Sequence, residues 1–247
     1  MVGNIGGACT DFYVNQKLSL RMDIPSARDT ILSLFDRVRR ELPTMERFRR
    51  YNGELALESR DHESQYSWLA LRKTSIRSGW VNPESLAAAY KLHRCILEVA
   101  PYFLSISPLD VEHVELVFGF DLEATGNRNE IVLEALLENS PLAGLIEGAE
   151  ESALDVQPFL GFSLTSNCEL QAFVEIKTRT TAREVAAGRF SENPISVYLT
   201  VRKYGSMKTI DDLLATFGML AGHAERLAEQ RVISQVVMPI RKMIQGR

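Results

Sequence analysis

Between Phe12 and Ile24 the chain alternates. Val14, Leu18, Leu20, Met22 and Ile24 are apolar, while Asn15, Lys17, Ser19, Arg21 and Asp23 between them are polar. Period two belongs to a β-strand with one face buried and one wet. The pattern returns near mid-chain at Val114, Leu116, Phe118, Phe120 and Leu122. A one-sided strand needs a layer of other elements over its apolar side, so this chain must supply that layer twice.

The segments after each strand read as that cover. Ser26 is the expected cap of a helix, with Asp29 in the first turn and Ile31, Leu34, Phe35, Val38 and Leu42 as its apolar stripe. Pro43 ends it, and a further short helical turn is expected through Phe48 before the Asn52-Gly53 turn. Strands are expected over about 54–60 and 66–77, with Leu69 and Leu71 on one face and Trp68 and Arg72 on the other. Asn82-Pro83-Glu84 opens a second helix, with proline at the first helical position; it carries Leu86, Ala89, Tyr90, His93, Ile96 and Leu97 and ends near Pro101.

The second half repeats the order. A Gly126-Asn127 turn leads into a helix with Ile131, Leu133, Leu136 and Leu137, and strands follow over about 156–165, 171–179 and 195–204. A long helix from Thr209 aligns Ile210, Leu213, Leu214, Phe217, Leu220, Ala224 and Leu227, and Pro239 kinks or ends it. Residues 18–24 overlay 116–122 with the same parity, Trp68 to Lys73 overlays Tyr198 to Lys203, and the same offset sets His93 on His223.

The expected fold is therefore α+β: two similar β-α-β-β-α halves, an internal duplication. Each half is an antiparallel sheet with helices packed on one face, and the second ends in a long C-terminal helix. Residues 1–11 are expected as a flexible tail. Residues 12–106 form the first half, and 107–247 the second, with an extra strand, fused with the first into one globular unit. The halves either share one long sheet or pack helix layer on helix layer. Open sheet edges invite aggregation, which favours pairing between halves or between subunits.

At 247 residues and 45% apolar the chain is long enough for a core without staples. Cys9, Cys95 and Cys168 are too few and too scattered for a disulfide framework or a metal site. No run approaches the ~20 apolar residues of a membrane span, and residues 1–10 lack the pattern of a secretory leader. A cytoplasmic location without membrane contact is expected.

A formal net charge of −4 conceals segregation. Residues 12–80 hold 13 Lys/Arg against 9 Asp/Glu, residues 110–170 hold 1 against 13, and residues 171–247 hold 12 against 7. Opposed blocks suit complementary association between halves or subunits, although acidic surface helices are also ordinary. Arg37, Arg39, Arg40, Arg47, Arg49 and Arg50 crowd the end of the first helical segment, where the dipole favours them. Of these, Arg37, Arg40, Arg47 and Arg50 are the candidate anion or nucleic-acid patch.

Chemical motifs are absent: no phosphate loop, dinucleotide fingerprint, nucleophile elbow or zinc signature occurs. Asp61-His62-Glu63 is the nearest acid–base cluster and sits at an expected turn. His93 and His223 occupy apolar stretches of their helices, read as partly buried histidines or as a matched ligand-contacting pair. Asp23 and Asp121 each fall near the end of a first strand, either capping the next helix or facing one cleft as acid and base. Trp68 and Tyr198 project from the strand face opposite the leucines, so something should cover that face. The 180–193 connection is long for a hairpin. It has room for a brief helix at 181–188, and is read as a lid or partner contact.

The opening alternating strand, the mid-chain strand Val114 to Leu122, and the strand Ile195 to Tyr204 leading into a long helix resemble a sporadically distributed family of bacterial proteins of about this length and unassigned function. The chain departs from that family where an Arg-rich mid-chain strand and an acidic late strand are expected. The resemblance carries no catalytic residue across.

These readings point away from an enzyme and towards a binding or assembly module without cofactor or metal, self-associating through complementary charge blocks, with a homodimer or protein complex as the expected assembly. The alternative is a small-molecule site or minor enzyme with a pocket between the halves, lined by Trp68, His93, Tyr198 and His223, with Asp23 and Asp121 beside it. Nucleic-acid binding through Arg37–Arg50 ranks third.

Overall fold

A computed structural model describes residues 7–60, 64–148, 150–205 and 207–247. The Asp61-His62-Glu63 cluster lies outside the described residues. Nine strands form one antiparallel sheet: β1 (Asp11–Leu20), β2 (Met45–Tyr51), β3 (Glu54–Ser59), β4 (Tyr66–Arg72), β5 (Ser75–Val81), β6 (Val111–Leu122), β7 (Phe159–Ser163), β8 (Leu170–Lys177) and β9 (Ile195–Tyr204). Their spatial order is β2-β3-β4-β5-β1-β6-β9-β8-β7. The first strands of the two halves are neighbours at the centre, paired from Asp11 opposite Asp121 to Leu20 opposite Val111. The halves thus share one sheet, and β2 and β7 are its edges.

The alternation of β1 is real. Phe12, Val14, Leu18 and Leu20 are buried with Leu116, Phe118 and Phe120 of β6 and Val197, Leu199 and Val201 of β9. The helices α1 (Arg28–Glu41), α2 (Leu86–Phe103), α3 (Arg128–Leu137) and α5 (Asp212–Leu227) cover that apolar side with Leu34, Leu92, Ile131 and Phe217 among their buried residues. A short α4 (Ala182–Ala187) lies in the long loop before β9. Its capping box pairs Thr181 with Glu184.

Several expectations are corrected. Residues 45–51 form strand β2, not a helical turn. The segment expected as one strand over 66–77 is a hairpin of β4 and β5. This undoes the residue overlay of Trp68 on Tyr198 and of His93 on His223: β9 leads directly towards α5, but β5 intervenes between β4 and α2. Ser26 does not cap α1, whose N-cap is Ala27 without a side-chain bond. For α2 the cap is Ser85, whose Oγ accepts from Ala88 N–H at 3.1 Å, so Pro83 precedes the helix. Asn82 instead closes the end of β1, accepting from Phe12 N–H at 2.9 Å and donating to Asp11 at 2.6 Å. Near the N-terminus, Ala8 is buried and Thr10 N–H bonds to Asp121 O at 2.8 Å, so the described part of the expected tail is held against the sheet.

The C-terminal helix does not stop at Pro239. After α5 it widens into π-helical turns over Ala228–Val237 and resumes as α6 (Met238–Gln245). A proline removes one donor and its ring crowds the carbonyl four residues back; the wider turns just before it relieve that crowding.

Candidate functional site

With the helices on one side, no element among the described residues crosses the centre of the other side of the sheet. Strand parity assigns its residues: Tyr13, Asn15 and Lys17 from β1; Glu115, Val117, Gly119 and Asp121 from β6; Ser196, Tyr198, Thr200 and Arg202 from β9; Trp68 from β4; Arg77 and Gly79 from β5. A cleft of about 320 Å³ on this face is lined from β4 to β8, including Trp68, Arg77, Asn15, Lys17, Tyr198, Thr200 and Lys177. Five strand spacings separate β4 from β8, roughly 24 Å in a flat sheet. The long side chains of Trp68, Arg77 and Lys177 reach towards the cleft from its two ends.

Three glycines shape that surface. Gly79 is the register partner of Trp68, Gly119 of Tyr13, and Gly161 of Phe173. A Cβ on Gly79 would lie 2.5 Å from the Trp68 ring and one on Gly161 2.8 Å from Phe173, while one on Gly119 would run into the Tyr13 ring. The rings therefore lie down over glycine backbone instead of standing up, and of the three the Trp68 ring lines the cleft.

Charges are mostly matched. Arg202 pairs with Glu115 at 2.6 Å, Lys177 with Glu175 at 2.6 Å and Arg72 with Glu54 at 2.5 Å. Arg77 places its guanidinium 5.7 Å from the Trp68 ring centre, a cation–π contact. At one end of the seam Asp121 accepts from Tyr13 OH at 3.2 Å and from Ser196 Oγ. Burial raises the Asp121 carboxyl above the usual range against the pull of those bonds. Arg179 donates to Ser196 Oγ at 2.7 Å and to Tyr198 OH at 2.8 Å.

Of the residues singled out from the sequence, the structure brings Trp68 and Tyr198 to one cleft, with Asp121 joined to Tyr198 through Ser196 and Arg179. The other three lie elsewhere. His93 is in the core between α2 and the sheet, fully buried, its Nδ1 2.8 Å from Ser78 Oγ. Burial lowers its pKa to about 3. His223 is half-buried on α5, 2.6 Å from Arg226, so the two histidines share no cleft. Asp23 follows β1 at the end opposite Asp11, the partner of Asp121, and pairs with Lys73 at 3.2 Å. A ten-residue strand spans roughly 30 Å, so Asp23 and Asp121 cannot serve one reacting centre.

The arginine run is no single patch either. Arg37 pairs with Glu41 at 2.6 Å on α1, where Arg40 is exposed in the last turn. Arg47 and Arg50 belong to edge strand β2, and their different parity sends them to opposite faces. Arg47 and Arg49 share the open side, whereas Arg50 sits with Phe48 on the helix side.

One residue with a large structural role was not singled out. Arg128, at the start of α3, is the only Lys or Arg of residues 110–170 and is fully buried. It donates to Thr178 O at 2.8 Å and Ser191 O at 2.5 Å, with Glu184 at 3.6 Å. Its neighbour Asn129 holds Leu154 O at 2.8 Å and Val156 N–H at 3.1 Å. The Asn129 bonds hold residues 154–156, while those of Arg128 to Ser191 and Glu184 pin the 180–193 connection to the body of the protein, which opposes its reading as a free lid.

Among the described residues no group of three or more His, Cys, Asp or Glu is placed to hold a metal ion, and no helix is long and apolar enough to cross a membrane. Comparison with protein-family models and with curated proteins finds no match for this chain.

Proposed function

We propose that the protein is a non-enzymatic binding module that takes a small ligand on the open face of its sheet, across the seam between β1 and β6. The observation that carries this reading is the meeting of Trp68 from one half and Tyr198 from the other on a single cleft. A non-catalytic role is favoured by the burial of Ser78 and His93: the pair is spaced like a nucleophile and its base, but both residues are 0% exposed. Native mass spectrometry of the protein purified gently from its host tests the proposal. A reproducible small adduct lost in Trp68→Ala and Tyr198→Ala supports it; an adduct unaffected by both substitutions overturns it.

The same proposal reads the halves as an internal duplication. Its support is the strand order, in which each half places its first strand at the seam, its last strand beside that, and the remaining strands outwards. Membership of the sporadically distributed bacterial family, and a cytoplasmic location, are further parts of the proposal.

A second reading, self-association as a homodimer or longer assembly, is favoured by the two uncovered edges. Strand β2 is exposed at every position but Met45 and carries Arg47, Arg49 and Arg50; β7 exposes Phe159 and Leu160 at 63% each within the acidic block. Both edges keep unpaired backbone groups, and the exposed apolar residues of the uncharged β7 suit an edge contact between copies. Sedimentation over a range of protein concentration distinguishes it: a dimer lost in Leu160→Lys supports association through β7, and a monomer throughout removes it.

A further inference from the structure

The open face holds two neighbouring cations, neither of which has an ion pair of its own. Lys17 and Arg77 are direct register partners on β1 and β5 and point into the same cleft. Like charges directly opposite each other across a sheet repel. Glu115 is the register partner of Lys17 on the other side, on β6, but its Oε2 is engaged by Arg202 at 2.6 Å, and Glu175 is taken by Lys177 at 2.6 Å. Among the described residues neither the Lys17 nor the Arg77 side chain makes an ion pair or a hydrogen bond. Such an arrangement costs stability in the empty protein and is relieved when an anion sits between the two.

The surroundings define the rest of the ligand. Arg77 is already oriented by its contact with the Trp68 ring, leaving its fork of N–H donors to donate to a carboxylate or phosphate in two parallel bonds. Asn15, one position pair along β1, is buried at Oδ1 without a hydrogen-bond partner. Its Oδ1 lies over the Gly79 backbone, which leaves the amide NH₂ as the end of the side chain able to donate to the same anion. Trp68, laid flat by Gly79, and Tyr198 supply planar apolar walls. A volume of about 320 Å³ admits a ligand of one or two rings.

We propose that this cleft binds a small anion, a carboxylate or a phosphate, carried on a flat unsaturated ring, with the anionic group between Lys17 and Arg77 and the ring against Trp68. The inference rests on the open-face binding proposed above and names the chemical class of its ligand.

The test is calorimetric titration of the full chain with phenyl phosphate, benzoate, benzyl alcohol and benzylamine. The two anions should bind at least about tenfold more tightly than the neutral or cationic probe, as expected for charge-assisted bonds. Their ranking tells a phosphate ligand from a carboxylate one. Lys17→Met and Arg77→Met should each weaken the better anion by about tenfold or more, while Arg183→Met, on α4, should not. If benzyl alcohol or benzylamine binds as well as the anions and Trp68→Leu abolishes that binding, the anionic class is overturned while open-face binding stands. If no probe binds, or binding ignores the Lys17, Arg77 and Trp68 substitutions, both fall. Thermal unfolding gives an independent check. Relief of the repulsion should make Lys17→Met at least as stable as the parent, and a lowered midpoint would show Lys17 held in a stabilising pair and overturn the inference.

Discussion

The Tyr13 ring lies across the backbone of Gly119, its register partner on β6, while its hydroxyl donates to Asp121 two residues along the same strand. The contact is possible only because position 119 has no Cβ. Gly119→Ala should therefore lift the ring, break its bond to Asp121 and cost about 1–3 kcal/mol, the usual penalty of overpacking. Urea denaturation measures it. Adding Tyr13→Ala should remove most of the extra cost, so the double variant should fall well short of the sum of the singles.

Arg128 is the tie between the acidic block and the β8–β9 connection. Replacing it with methionine keeps much of its bulk but strands the Thr178 and Ser191 carbonyls and leaves Glu184 without its cation. Removing one partner of a buried charged network costs about 3–5 kcal/mol. The loss should appear as a lowered urea midpoint, with new proteolytic cleavage inside 180–193. An unchanged cleavage pattern would mean that the loop is held by something other than Arg128.

What the sequence disclosed follows from how local each signal is. Strand β9 is legible at its observed limits because buried Ile195, Val197, Leu199 and Val201 alternate with Ser196, Tyr198, Thr200 and Arg202. Strand β2 is not, because an edge strand exposed at six of seven positions has no buried face to alternate against, and Met45 and Phe48 are spaced like a helical turn. The β4–β5 hairpin leaves no mark because its Lys73-Thr74 turn contains no glycine, proline or asparagine. The parity that sends Trp68 and Tyr198 to the open face was legible one strand at a time. The opposition of Lys17 and Arg77 was not, since it depends on the pairing of strands far apart in sequence. Arg128 did leave a mark, as the lone basic residue among 13 acids.

Glu184 gives that loop an acid limit. Bonds from the Ser191 side chain and backbone, then from Thr181, hold its carboxyl down at about pH 2, from an ordinary 4.5. A carboxylate whose pKa is lowered by folding contributes stability that is present above its unfolded value and lost as pH falls through the folded one. The Ser191 amide, which donates to Glu184 at 2.8 Å, should stay protected from hydrogen exchange at pH 5 and lose protection as pH falls towards 2. In Glu184→Ala it should exchange rapidly at every pH. Protection that persists in this variant would assign the loop's order to Arg128 alone.

His93 sets a second and earlier pH dependence, acting on the whole core. Burial lowers its pKa from 6.5 to about 3, so the folded protein keeps it neutral where the unfolded chain takes up a proton. The unfolded state then binds more protons below pH 6.5, and stability declines as pH falls. Each pH unit in that window is worth about 1.4 kcal/mol, or roughly 3 kcal/mol between pH 6.5 and 4. His113 and His223 are also shifted down by burial and add in the same direction, while the raised carboxyl of Asp121 opposes them. Urea midpoints taken at half-unit steps should show the decline in the parent. In Ser78→Ala/His93→Leu, which removes both partners of the buried bond, the slope should be much shallower whatever the absolute stability. A slope equal to the parent's would place the proton uptake on the remaining histidines.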